Sequence, residues 1–300
     1  VPTDYAALEA AAEKAMSEQA YAYNAGGAGR ESTMAANRRA FERWRIVPRM
    51  LRDVETRDTS VELFGRRLPS PFVLCPIGVL EMAHAEADIA VARAAASRGV
   101  PMLFSNQASR SMEDCTAAMQ QVQADAPRWF QLYWSKSDAL VESLVARAEA
   151  CGCEAIVVTL DTTLLGWRSR DLDLAHLPFL LGQGIAQYTS DPVFRASLSD
   201  VPDDGPRPKI NTRTLRNVIA AARHYPGSSL RALTSGQALA AVRQFIATYS
   251  RPNITWADLA WLRQRTKLPI VLKGVLDGED ARLAVEHGVD GLIVSNHGGR

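Results

Sequence analysis

Short apolar, β-rich runs recur through the middle of the chain, and each is followed by a stretch of helical composition. PFVLCP (71–76) precedes EADIAVARAAASRG, VPMLFS (100–105) precedes SMEDCTAAMQ, and RWFQLY (128–133) precedes KSDALVESLVARAEACG. EAIVVTLD (154–161) closes this first series, and TWADLAWLRQRT, LPIVLKG (268–274), EDARLAVEHG and DGLIVSN (290–296) resume it. The first four runs begin at intervals of roughly 26–30 residues, the length of one strand, its turns and a crossover helix. Runs that stay apolar without alternation belong to a parallel sheet covered on both faces. Two architectures satisfy that pattern, a doubly wound open sheet and a closed barrel. A doubly wound nucleotide-binding sheet carries G-x-G-x-x-G after its first strand, whereas Cys75 is followed by Pro-Ile-Gly-Val-Leu. The expected fold class is therefore α/β, a (β/α)8 TIM barrel over residues 1–300 with an N-terminal helical segment. The sequence stops at Arg300 inside SNHGGR, after the sixth such run, so the last two strands of a barrel are expected to lie beyond it.

Residues 162–253 break the repeat. They hold the Pro- and Asp-rich VPDDGPRP and two helix-like pieces, TRTLRNVIAAARHY and SGQALAAVRQFIATY. An excursion after the fourth strand lies on the face where barrels place their chemistry, so it is expected to be a lid. Composition fits a folded soluble globular protein: 47% hydrophobic and 22% charged residues, with 34 Lys+Arg against 33 Asp+Glu. The resulting net charge of +1 gives no field that would draw the chain to nucleic acid or to an anionic membrane. No apolar run reaches the length of a membrane span, and the acidic start VPTDYAALEAAAEKA is unlike a signal peptide. Four cysteines (Cys75, Cys115, Cys151, Cys153), two of them in C-G-C, are neither a disulfide scaffold nor a zinc motif; reduced thiols in a cytoplasmic protein are expected.

Chemistry is suggested by where polar residues fall. Nearly every apolar run ends in a group that a packed core would exclude: Ser105, Gln131 with Tyr133, Thr159 with Asp161, Lys273, and Ser295 with His297. Parallel barrel strands end on one face, so these residues are expected to converge on one mouth. A single Ser or Thr there is usually a helix cap; five strand ends together are not explained by capping. Lys273 suits a negative charge at the rim, and His297 with Asp161 suits an oriented general base. Arg168 and Arg300 make a candidate carboxylate clamp, with Tyr23 as an added phenol. Gly26, Gly27 and Gly29 read as a helix stop. His84, His224 and His287 lack metal-ligand spacing, His176 sits in the insertion within possible reach of the mouth, and no G-x-S-x-G elbow occurs.

Taken together, YAYNAGGAG, NRRAFERWRIVPRML, PIGVLEMAH, FQLYW, VTLDT, LPIVLKGV, DARLAVEHG and SNHGGR resemble, in order, the FMN-dependent α-hydroxy acid oxidases and dehydrogenases. The similarity runs over essentially the whole chain. LDTTLLGWRSRDL, PFL, Y-T-S-DPVF and the long insertion are most similar to the lactate 2-monooxygenase branch. The resemblance implies FMN as cofactor and His297 as the base that takes a proton while the α-carbon passes a hydride, or a carbanion, to flavin N5. It implies Asp161 as the group stabilising the imidazolium. It gives Arg300, Arg168 and Tyr23 to the substrate carboxylate and Tyr133 to the substrate hydroxyl. It places Pro76, Ile77 and Gly78 beside the flavin, Ser105, Gln131 and Thr159 at its pyrimidine edge, and Lys273 and Ser295 on the cofactor. The family's last two strands carry the segments that grip the FMN phosphate. Gly78 stands where many family oxidases carry Ala, and smallness there accompanies retention of the keto acid. The implied reaction is oxidation of a small L-2-hydroxy acid, L-lactate with O2 giving acetate, CO2 and water. An oxidase or dehydrogenase of lactate, glycolate or mandelate type, releasing the keto acid, is the alternative; a non-catalytic barrel remnant is the alternative of another class. A homo-oligomer, a tetramer by resemblance, is expected.

Overall fold

Strand polarity in the computed structural model follows parity within each run, a subtler pattern than the continuous apolar character of the sequence. The structure describes residues 2–200 and 211–300; VPDDGPRP (201–208) lies outside them. An antiparallel hairpin comes first, β1 (Val61–Leu63) and β2 (Arg66–Leu68), joined by Phe64 and Gly65 at φ 51° and 76°. Two consecutive left-handed residues give the turn whose twist matches the flanking strands. A parallel sheet follows, built of β3 (Met102–Phe104), β4 (Arg128–Leu132), β5 (Ile156–Thr159), β6 (Ile270–Lys273) and β7 (Gly291–Ile293).

These five strands lie in sequence order, β3-β4-β5-β6-β7, every pair parallel. A doubly wound sheet reverses its order at a switch point, and none exists among these strands. PFVLCP, read from sequence as a full first strand, forms one parallel bridge only, Leu74 to Met102. Its bonds are Leu74 N to Pro101 O at 2.9 Å and Leu103 N to Leu74 O at 3.1 Å. Pro76 on this run and Pro101 on its partner lack the N–H groups that the next rungs would use, so pairing does not extend to either side.

One face of the sheet carries Met102, Phe104, Phe130, Leu132, Ile156, Val158, Ile270 and Leu272, packed under the crossover helices as the main core. Those helices are Ala87–Arg98, Met112–Gln120, Asp138–Ala150, Trp256–Arg263 and Gly278–Glu286. Their starts are encoded by caps: Ser111 accepts from Asp114 N, Ser137 from Leu140 N, and Thr255 with Asp258 forms a capping box. On the opposite face, Leu103, Trp129, Ala155, Val157 and Val271 form a small second cluster closed by the hairpin, with Phe64 5.4 Å from the Trp129 ring. Farther along the same parity come Ser105, Gln131, Tyr133, Thr159, Asp161, Lys273 and Ser295. Alternation along the strand thus stacks an apolar floor below a polar rim.

The N-terminal segment is helical as expected, over Tyr5–Ala15, Glu18–Ala25 and Ser32–Phe41, and the second helix stops at Gly26. The excursion after β5 is largely helical too, with Thr212–His224 and Gln237–Thr248 its longest described pieces. Its Phe179, Tyr188, Phe194 and Phe245 join the main core. Each such side chain contributes about 2–3 kcal/mol of burial, so these parts of the excursion are held as firmly as the crossover helices. No described helix is long and apolar enough to cross a membrane.

Candidate active site

At the C-terminal ends of β5, β6 and β7 three titratable side chains meet. Asp161 Oδ2 lies 2.8 Å from Lys273 Nζ, and Asp161 Oδ1 lies 2.8 Å from His297 Nδ1. Lys273 Nζ is also 3.1 Å from His297 Nδ1. Ser295 donates its hydroxyl to Asp161 Oδ2 at 3.2 Å and accepts from His297 N at 2.9 Å. Gly274 makes this approach possible: its φ is +107°, and a Cβ there would fall 2.7 Å from the Asp161 Cβ. His297 itself is held at φ 57°, a conformation a non-glycine residue adopts only when its surroundings dictate it. Burial raises the Asp161 carboxyl, but the hydrogen bonds and charges of His297 and Lys273 outweigh it and hold the group below the usual carboxylate range. An ionised Asp161 takes the Nδ1–H of His297, which leaves Nε2 as the acceptor that can remove a proton.

Next to this cluster, Tyr23 comes from the second N-terminal helix. The guanidinium carbons of Arg168 and Arg300 each lie 4.8 Å from its ring centroid. Arg168 Nε is 3.1 Å from Asp171 Oδ2, both side chains being nearly buried. Burial lowers Arg300 below its ordinary value. Two cations facing one carboxylate leave a net positive pocket suited to a single anion. Tyr133 lines the same cavity, and burial pushes its phenol up to about 12, so it is a protonated donor at neutral pH.

The far wall is polar and committed in orientation. Gln131 Oε1 accepts from Ser105 Oγ at 3.1 Å and from Asn106 N at 3.2 Å. A backbone N–H can only donate, so the oxygen of the amide must face it, and Nε2 donates to Thr159 Oγ1 at 3.0 Å. The Gln131 amide also hydrogen-bonds the Tyr133 phenol, and the Thr159 hydroxyl hydrogen remains available. All three residues are buried. Pro76, Ile77 and Gly78 line the adjoining wall.

Between these walls lies a cavity of about 420 Å³. Twelve of the fourteen candidate residues named from sequence line it; Thr159 and Asp161 stand just behind, bonded to lining side chains. Sequence reasoning missed Asn106, Asp171 and the apolar wall of Leu165, Phe179, Phe245 and Tyr249. An R-x-x-D spacing could have suggested Asp171; nothing local distinguishes the others. His176 is not a lining residue, and its Nε2 is buried without a hydrogen-bond partner in the described structure. The remaining histidines are tied to local structure: His84 Nδ1 accepts from Glu86 N, His224 pairs with Glu81 at 3.1 Å, and His287 stacks on Trp256. All four cysteines are free, and Cys75 is the exposed one. The described residues contain no group of His, Cys, Asp and Glu that could hold a metal ion.

A parallel α/β sheet with a proton acceptor, a buried cation and an anion clamp at its strand C-termini defines an acid–base site built for an anionic substrate, with no redox-active side chain in its charge cluster. The FMN-dependent dehydrogenase family model matches residues 12–300, and the chain belongs to that family. It is 38% identical over 299 residues to an L-lactate oxidase of Lysinibacillus sphaericus, covering all of this chain and 67% of that protein. It is 39% identical to the FMN-dependent alpha-hydroxy acid dehydrogenase qulF of Penicillium citrinum, covering 66% of it, and 35% identical to human 2-hydroxyacid oxidase 1. The crystal structure of a mandelate oxidase superposes with a TM-score of 0.72 at 32% identity, over all of this chain and 70% of that one. The chain thus spans about two thirds of the length of the curated relatives it matches.

The residues present fit FMN. An apolar-floored cavity offers polar groups at Gln131 and Thr159 for the carbonyl edge of a flavin. Lys273 adds a positive charge to the same cavity, of the kind that would stabilise a reduced flavin.

Proposed function

We propose that the protein oxidises a small L-2-hydroxy acid, L-lactate in the first instance, using FMN and O2, and that the keto acid is converted to acetate, CO2 and water before release. FMN, when bound, accepts the two electrons that leave the substrate α-carbon and passes them to O2. Arg168 and Arg300 would hold the carboxylate, with Tyr23 between them. The Tyr133 phenol would hydrogen-bond the hydroxyl. His297 Nε2 would take the proton, and Asp161 would stabilise the imidazolium so formed. Lys273 and Ser295 would face the cofactor, with Ser105, Gln131 and Thr159 at its pyrimidine edge and Pro76, Ile77 and Gly78 along its face. H2O2 formed beside retained pyruvate balances as pyruvate plus H2O2 to acetate, CO2 and water. The lack of a side chain at Gly78 and the excursion residues that line the cavity, Phe179 and Phe245 among them, support retention.

The observation that carries this reading is the meeting of the His297–Asp161 pair, at 2.8 Å, with two guanidiniums on one cavity. A second reading, an oxidase of a bulkier acid that releases its keto acid, draws on the aromatic wall of Phe179, Phe245 and Tyr249. We place residues 1–300 in one FMN-binding unit in which the parallel sheet is an arc of a (β/α)8 barrel and 162–253 forms a cover; the uninterrupted strand order supports the arc. We place the protein in the cytoplasm as a homo-oligomer; four unpaired thiols support the compartment and family resemblance supports the assembly. The test is an absorbance spectrum of the protein with FMN, followed by anaerobic L-lactate. Bleaching of the flavin band is expected, and acetate in place of pyruvate once air is admitted. Persistence of the band overturns lactate as substrate; stoichiometric pyruvate and H2O2 overturn the monooxygenase course.

A further inference from the structure

Asn106 is completely buried immediately after β3, and the function described so far gives it no task. Its Oδ1 accepts from Tyr133 N at 3.1 Å, and its Nδ2 donates to Tyr188 Oη at 2.6 Å. Its own backbone N–H donates to Gln131 Oε1. The amide cannot be reversed, because Tyr133 N is purely a donor and must face the oxygen. Tyr133 stands just past the end of β4, where the ladder of that strand has run out, so Asn106 supplies the bond that fixes it. On the other side, Tyr188 belongs to the excursion and is fully buried. Its ring meets Phe245 edge-on at 4.9 Å, and Phe245 lines the cavity. Gln187, its neighbour and also fully buried, grips the same loop, accepting from Met112 N at 3.0 Å and donating to Ser105 O at 3.3 Å.

We propose that Asn106 and Tyr188 are a positioning pair that sets Tyr133 and the Gln131 amide from the excursion. The segment around Ile185–Asp191 then works as a fixed brace and not as a moving flap. The assignment rests on the proposed function for the value of what is positioned, but the clasp itself is a matter of hydrogen bonds in the protein alone. Burial raises the Tyr188 phenol, so it stays a neutral partner across the working pH range.

Tyr188→Phe removes only Oη and keeps the ring in its aromatic surroundings. Phe194→Leu perturbs the same cluster, 5.5 Å from the Tyr188 ring, without touching the polar link, and so reports a merely structural effect. In Tyr188→Phe the Tyr133 amide is expected to exchange its hydrogen about tenfold faster, because its acceptor is no longer held. FMN is expected to bind about three- to tenfold more weakly by fluorescence titration, and kcat to fall about tenfold with the KM for lactate nearly unchanged. Phe194→Leu is expected to lower the melting temperature with none of these three changes. Equal Tyr133 exchange in wild type and Tyr188→Phe, or equal effects in both variants, overturns the positioning pair. If the wild type binds no FMN, the flavin reading falls and the exchange comparison alone decides the pair.

Discussion

His297 Nδ1 lies 2.8 Å from Asp161 Oδ1 although 136 residues separate them in the chain. Asp161 leaves the end of β5 and His297 follows β7, with Lys273 of β6 between them, so three consecutive strand ends build one charge cluster. Their division of labour predicts unequal losses. His297→Asn removes the proton acceptor and is expected to lower kcat about 10²–10⁴-fold with little change in FMN affinity. Asp161→Asn presents an amide N–H toward the Lys273 ammonium or toward His297, so one of the two pairs must break. Both kcat and FMN affinity are then expected to fall. Steady-state kinetics beside a flavin titration checks the contrast, and an active His297→Asn enzyme would remove the base assignment.

Gly78 offers a test of how product is retained. A Cβ built on it would sit 3.3 Å from both the Cβ and the carbonyl oxygen of Gln107, close enough that this loop must move by a few tenths of an ångström. Gly78→Ala therefore narrows this wall of the cavity without abolishing it. The fraction of lactate recovered as free pyruvate with H2O2 is expected to rise at the expense of acetate. Product analysis by chromatography and a peroxidase-coupled assay reads the ratio directly, and an unchanged ratio would detach retention from this position.

The strand ends were legible because burial makes polar residues conspicuous: Ser105, Gln131, Thr159 and Lys273 interrupt apolar runs, and each is buried on the polar side of the sheet. The order of the βα units was legible as well, since period and composition are local properties. PFVLCP misled because apolar character does not report ladder donors, and Pro76 with Pro101 on the partner run limits it to one bridge. Asn106 was invisible for a different reason. Its partners, Tyr133 and Tyr188, are 27 and 82 residues away, and a buried asparagine after a strand looks like any turn residue until the excursion folds back over it. The aromatic wall was missed likewise, since Phe179, Phe245 and Tyr249 face the cavity from helices whose apolar faces read as ordinary core.

Cys75 lines the cavity and is exposed, whereas Cys115, Cys151 and Cys153 are buried and burial raises their thiols. Reactivity follows the thiolate and its access. One of the four thiols is expected to react rapidly with a disulfide reagent in the native protein, the other three only on unfolding. Added FMN is expected to slow that first thiol, because Cys75 adjoins the Pro76–Gly78 wall. Cys75→Ser abolishing the fast phase confirms the assignment; a fast phase indifferent to FMN would place the flavin elsewhere.

Asp88 gives a pH dependence of known sign. It is almost fully buried on the helix Ala87–Arg98, and its Oδ2 accepts from Ser109 N at 2.9 Å and Arg110 N at 3.1 Å. Burial raises its carboxyl, the backbone hydrogen bonds oppose this, and the group comes to rest at about 6 against an ordinary 3.8. Between those values the folded protein holds a proton that the unfolded chain has released, so stability falls as pH rises through the window and levels off above it. The span corresponds to a loss on the order of 3 kcal/mol. Asp161 works the other way, with a depressed carboxyl whose stabilisation disappears only as pH falls below the ordinary carboxylate range. The two contributions are therefore separable in a denaturant series from pH 3 to pH 7. Asp88→Asn keeps an acceptor oxygen for Ser109 N and Arg110 N while removing the ionisable group. It is expected to flatten the decline between about pH 4 and pH 6 and to be more stable than wild type at pH 7. A variant that declines over that window as steeply as wild type would show that another group carries the dependence.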